Sequence, residues 1–194
     1  MEGVAQGVVD ASIRLLRVII AKFLPDAERF MYNWNMRELS SIFQGVAQAR
    51  PEFTNTPMKI FRLWAHETYR VFGDRLVNMA DFAKFDSKMR GVTKVVMKDH
   101  NQEELFAEPL IFTNWCAQPT PEPTYLSLPA GEDGMAKLSK TMVEKLEEYN
   151  SSNSIMNLVL FEAAMEHITR ITRIISNPGG NALLIGVGGS GKQS

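Results

Sequence analysis

The sequence has 194 residues, 45% of them hydrophobic, enough for one domain or two small ones with a sizeable core, and this excludes a disordered chain. Its 21 basic residues nearly cancel its 22 acidic ones, so no global field argues for nucleic acid or an anionic membrane surface. A single cysteine, Cys116, excludes an internal disulfide framework and a cysteine zinc site, and fits a reducing interior such as the cytosol.

Near the N-terminus, Glu2 and Asp10 precede the first apolar stretch, and Arg14, Arg17 and Lys22 interrupt it. Neither a secretory signal nor a membrane span is readable, and a soluble chain is expected. From about Val4 to Leu24, the residues Val9, Ile13, Leu16, Ile20 and Phe23 recur at helical spacing, and Pro25 ends the helix. The alternating aromatics Phe30, Tyr32 and Trp34 then predict a short extended piece.

Asn35 is placed to cap a second helix from Met36, with Arg37 and Glu38 in its first turn and Leu39, Ile42, Phe43 and Val46 on its buried side. Arg37 is unusual there, because a positive side chain opposes the dipole at a helix N-terminus. Its anionic partner is Glu38, Asp26 or a bound phosphate. A third helix is expected from Met58 to Phe72, with Ile60, Leu63, Trp64 and Val71 inward and Gly73 closing it. His66-Glu67 would need a second histidine at position 70 for a zinc protease motif, and that residue is Arg70. A fourth pattern, Met79, Phe82, Phe85, Met89, Val92 and Val96, is expected to split at Gly91.

Between Lys98 and Gly134, Leu110-Ile111-Phe112 reads as a short strand, and Pro119, Pro121, Pro123 and Pro129 predict a linker or surface arm. His100 and Cys116 read as isolated surface residues. A fifth helix, Met135 to Tyr149, carries Leu138, Met142 and Leu146 on one stripe, and Asn150-Ser151-Ser152-Asn153 breaks it. The sixth is expected from Ser154 to Ile175, with Leu158, Phe161, Met165, Ile168, Ile171 and Ile175 on one side and His167 on the rim. It ends at Asn177-Pro178-Gly179-Gly180.

Leu183, Leu184 and Ile185 then predict a short buried strand leading into Gly186-Val187-Gly188-Gly189-Ser190-Gly191-Lys192-Gln193-Ser194. The spacing fits the phosphate-loop pattern Gly-x-x-x-x-Gly-Lys, in which backbone N–H groups cradle a polyphosphate and Lys192 reaches the outer phosphates. Gln193 occupies the position where the general pattern wants a Ser or Thr hydroxyl for magnesium, and Ser194 comes one residue late. Such a loop needs the helix that follows it, and none follows Ser194 in this sequence.

The helix, the Asn-Pro-Gly-Gly turn, the strand and the Gly-Lys-Gln-Ser ending, with Met156-Asn157-Leu158-Val159-Leu160-Phe161-Glu162 upstream, resemble dynein heavy chains. More narrowly they resemble the start of the fourth AAA+ module of an axonemal, outer-arm type heavy chain. Trp34-Asn35-Met36-Arg37-Glu38-Leu39-Ser40-Ser41-Ile42-Phe43-Gln44-Gly45 is similar to the lid helix of the third module, and Leu63 to Asp74 continues the similarity.

The resemblance implies a mainly α fold: a helical AAA+ lid over residues 1–100, a linker and exposed helix over 101–150, and over 151–194 the first helix and strand of a truncated α/β P-loop module. It implies a Walker A loop made of Gly186, Gly188, Gly189, Ser190, Gly191, Lys192, Gln193 and Ser194, and a sensor-2 role for Arg37 toward a nucleotide of the third module. Cofactors implied for the parent are ATP or ADP with Mg, none held tightly by this chain, with no catalytic or metal residue of its own. The partners are other modules of the same heavy chain, other dynein subunits and microtubules, with no nucleic acid and no membrane. The implied place is the cytoskeleton of the ciliary or flagellar axoneme, as an inter-module joint of an ATP-driven motor ring. Alone the chain is expected to hydrolyse nothing. Other readings are a non-catalytic helical interaction module, or a piece of another ring-forming AAA+ ATPase.

Overall fold

The computed structural model describes residues 2–117 and 124–186. They fall into two compact units that divide at Leu110/Ile111. The 101–150 stretch expected as a linker is therefore shared between them.

The first unit is helical: α1 (Glu2–Lys22), α2 (Met36–Ala47), α3 (Pro57–Phe72), a 3-10 turn (Gly73–Arg75), α4 (Met79–Val96) and the single turn α5 (Gln102–Leu105). α3 lies at its centre, with every residue from Phe61 to Thr68 buried. Thr56 caps it and Pro57 opens it, where a missing N–H costs nothing. Trp64 is sealed against α1, its Nε1 donating to Ser12 Oγ at 2.8 Å. Full burial favours partners for the charged side chains of α3, although the Thr68 hydroxyl is buried without one among the described residues. The Arg62 guanidinium donates to the carbonyls of Glu104, Leu105, Ala107 and Pro109, gathering the orphan acceptors at the end of α5. His66 Nδ1 lies 3.0 Å from the Leu110 carbonyl oxygen, so the ring is used structurally. Gly73 closes α3 in αR geometry and runs directly into the 3-10 turn.

Three expectations for this unit change. On α1 the buried stripe is Val8, Ala11, Leu15, Leu16, Ile19 and Phe23, while Val9, Ile13 and Ile20 are exposed. Apolar residues wrap most of this helix, and packing against α3 and α4 selects the neighbouring stripe. Asp26 to Met31 bends and turns before the chain reaches the extended Asn35, because the Asp26 carboxylate accepts the N–H groups of Glu28 and Arg29. α4 runs unbroken through Gly91, which faces open space; burial of Met89 and Thr93 on its other side outweighs a glycine penalty of about 1 kcal/mol. His100 is half-buried, with its ring edge-on to Phe61 at 4.8 Å.

The second unit holds the two-residue strands β1 (Phe112–Thr113) and β2 (Leu126–Ser127), paired antiparallel, with α6 (Glu132–Ser152) and α7 (Glu162–Ile175). Its core is Ile111, Leu128, Leu138, Met142 and Met165. The segment flanking the prolines thus contributes core residues and is no surface arm, although Pro119, Pro121 and Pro123 lie outside the described residues. Arg173 is buried with its guanidinium 3.9 Å from the centre of the Tyr125 ring.

α7 begins at Glu162, not Ser154. The Asn150 side chain accepts from the Met156 N–H and donates to its carbonyl, holding the chain extended. From Ile155 to Phe161 exposure then alternates, with Met156, Leu158 and Leu160 half-buried. That is a period of two, where the sequence had been read with a helical period.

Gly45 meets α3 so closely that an added Cβ would lie 2.1 Å from Glu67 Oε2. Glu67 is fully buried and held by Arg70 at 2.7 Å, so it cannot yield. Gly45→Ala is expected to destabilise the unit by about 1–3 kcal/mol in urea unfolding. The Tyr69 hydroxyl, donating to Asp86, is pushed well above the ordinary tyrosine range by burial first and by that carboxylate second. A raised folded-state value contributes stability that is full below the unfolded tyrosine pKa of about 10 and lost as pH rises through the folded one. Tyr69→Phe should therefore remove part of the alkaline loss of stability, measured by unfolding between about pH 9 and 12.

Candidate functional site

The first turn of α2 is built by a capping box. Asn35 sits in extended backbone, its side-chain oxygen accepts from the Arg37 N–H at 2.8 Å, and Glu38 Oε2 reaches back to accept from the Asn35 N–H at 2.7 Å. Glu38 Oε1 accepts from Arg75 Nη1 at 2.8 Å, in a pair whose side chains are 6% and 31% exposed. Arg75 also donates to the Asn33 carbonyl at 3.1 Å and lies 5.0 Å from the centre of the Trp34 ring. Trp34 is anchored in turn by donating its Nε1 to the Phe23 carbonyl at 2.9 Å. Residues 33–38 are therefore clasped from several sides.

Arg37 stands in the middle of this clasp and takes no part in it through its side chain. It is exposed, and it makes no side-chain hydrogen bond or ion pair among the described residues. Both protein partners considered from the sequence are engaged elsewhere: Glu38 with Arg75, and Asp26 with Arg29 at 3.2 Å. What remains is an exposed guanidinium on a well-held backbone at the positive end of a helix, a chemistry suited to a polyanion. A cleft of about 240 Å³ is lined by Phe23, Tyr32, Asn33, Trp34 and Asn35, and Arg37 is not among its lining residues.

The other predicted site lies at the C-terminal end. After α7, Gly179 takes φ +69 and a Cβ on Gly180 would fall 1.8 Å from the Ile174 carbonyl oxygen, so this turn needs both glycines. Leu183 and Ile185 beyond it are 81% and 73% exposed, and form no strand among the described residues. The expected buried strand is absent because no partner strand covers it there. Gly186 is described and exposed. Gly188, Gly189, Ser190, Gly191, Lys192, Gln193 and Ser194 lie outside the described residues. Arg37 and the loop belong to different units.

The sequence reading missed Arg75 and the double use of Glu38. The Asn-x-x-Glu spacing of residues 35–38 was a readable signal for the box. Arg75, 37 residues from Glu38, gave none.

The family profile of the AAA+ lid domain matches residues 8–107, and that of the P-loop containing dynein motor region D4 matches residues 156–194. The chain is 48% identical over 190 residues to the dynein beta chain of the flagellar outer arm of Chlamydomonas reinhardtii, across 96% of this chain. It is 44% identical over 194 residues to dynein axonemal heavy chain 17 of Homo sapiens, across 100% of it. It is 42% identical over 187 residues to the ciliary dynein beta chain of Tripneustes gratilla, across 96%. In each case it spans 4% of the relative's length.

Because Arg37 opposes the dipole and lacks an internal partner, it costs stability. Arg37→Gln is expected to raise the unfolding free energy by about 0.3–1 kcal/mol at low ionic strength, whereas Asn35→Ala should lower it by about 1 kcal/mol, both read from denaturant curves.

Proposed function

Since this chain belongs to the dynein heavy chain family, carrying that family's AAA+ lid followed by the start of its D4 region, we propose that it serves as an inter-module joint of a nucleotide-driven ring in the ciliary or flagellar axoneme. In this reading residues 8–107 are the lid of the third module and the last residues open the nucleotide site of the fourth. The observation that carries it is Arg37, exposed, unpaired and rigidly mounted at the positive end of α2. Such a group gives a charge-assisted contact to the phosphates of a nucleotide held by the module before it.

A bound ATP would supply the anhydride whose cleavage drives a conformational step. The residues of this chain bind and orient. Arg37 is the anion contact of the lid, and Lys192 with the N–H groups of residues 186–192 would cradle the phosphates of the following site. Gln193 would stand beside that second nucleotide with an amide in place of the usual hydroxyl, and a magnesium ion would have to be held chiefly by groups outside this chain. Microtubules and other dynein subunits are partners of the whole motor, reached through its remaining parts.

Calorimetric titration with ATP and ADP tests the C-terminal half-site. This chain and a longer one extended through the full D4 region are compared, each beside its Lys192→Ala variant. Binding by the longer form alone, abolished by the lysine change, is expected. Lysine-dependent binding by the 194-residue chain would show that the loop forms without its following helix and would overturn the half-site reading.

A further inference from the structure

Resting on the reading of Arg37 as a nucleotide contact, we infer that Arg75 is its positioning residue. By pairing with the Glu38 carboxylate it neutralises that charge and keeps the first turn of α2 electropositive around Arg37. Arg37 and Glu38 are adjacent in one helical turn, so an uncompensated Glu38 would cancel most of the field that Arg37 presents to an incoming polyphosphate. Both carboxylate oxygens are instead taken, Oε2 by the Asn35 N–H at 2.7 Å and Oε1 by Arg75 at 2.8 Å. Glu38 is nearly fully buried, so this pairing is only weakly screened by salt.

Arg75 is itself held in place. It bonds the Asn33 carbonyl and lies over the Trp34 ring, so it contacts residues on both sides of the cap. It sits in the 3-10 turn that follows α3, which ties the end of the central helix to the mount of Arg37. The three charges at 37, 38 and 75 sum to one positive charge. Loss of Arg75 would bring the sum to zero and leave the carboxylate next to Arg37 uncompensated.

The test uses the heavy chain that contains this segment, with the phosphate loops of its other modules disabled by lysine changes, Lys192→Ala among them. Affinity of the remaining third-module site is measured with a fluorescent N-methylanthraniloyl ATP analogue. Arg37→Ala and Arg75→Met are each expected to weaken binding about fivefold or more, the scale of one unit charge at a partly shielded site. Arg75→Lys should stay within about twofold of the parent. The decisive variant is Arg75→Met with Glu38→Gln. A glutamine still caps the Asn35 N–H but carries no charge, so binding should return to within about twofold.

Because Glu38→Gln also removes an unpaired buried charge, urea unfolding is measured on the same variants: a merely structural role would make affinity follow stability, whereas the inference expects Arg75→Met to bind weakly where unfolding shows it still folded. Failure of the rescue, or normal binding by Arg75→Met while Arg37→Ala binds weakly, overturns the inference and leaves the reading of Arg37 standing. Normal binding by Arg37→Ala overturns both.

Discussion

The burial of α3 along eight consecutive residues is the constraint on which the first unit depends. A helix enclosed on all sides has to answer for each charged group it carries, since an unpaired buried charge costs several kcal/mol. Arg62 answers by closing the end of α5 onto the helix, and Glu67 by taking Arg70 within its own turn. The close approach of Gly45 to Glu67 then fixes how near α2 can come. Once α2 is set there, the end of α3 and its 3-10 turn bring Arg75 under the cap of α2.

The cap of α2 is consequently more than a local helix signal. In an isolated peptide, Asn35 and Glu38 would satisfy the first N–H groups and nothing else. In the folded unit the same Glu38 is also the acceptor for Arg75, and the aromatic cluster of Phe23, Tyr32, Trp34 and Phe72 supports the loop from beneath. Arg37 is left as the charged group of this turn without an internal counter-ion.

The second unit shows the opposite economy. Its core of Ile111, Leu128, Leu138, Met142 and Met165 is small, and large apolar residues remain exposed at Ile155, Val159, Phe161, Leu183 and Ile185. These exposed residues lie outside helix and strand, and from Val159 onward in the stretch matching the dynein D4 region. Period-two segments of this kind bury their faces only when a sheet and its covering helices surround them. Leu183 to Ile185 therefore reads as strand by composition and lies unpaired here.

Much of the architecture was legible in the sequence because its signals are local. Asn35 as a cap, Pro25 as a stop and the Gly179-Gly180 turn each involve residues within a few positions, where backbone chemistry alone decides. The family resemblance was legible for the same reason, resting on short contiguous motifs. Tertiary structure decided what local chemistry leaves degenerate. Two apolar stripes on α1 were equally periodic, and only the packed neighbours chose Val8, Leu15 and Ile19 over Val9, Ile13 and Ile20. Gly91 could have broken α4, and packing along its buried side kept it whole. Glu38 has an arginine beside it in sequence and another 37 residues away. The distant one pairs with it, because adjacent residues on a helix point apart, whereas the fold delivers Arg75 head-on to the carboxylate.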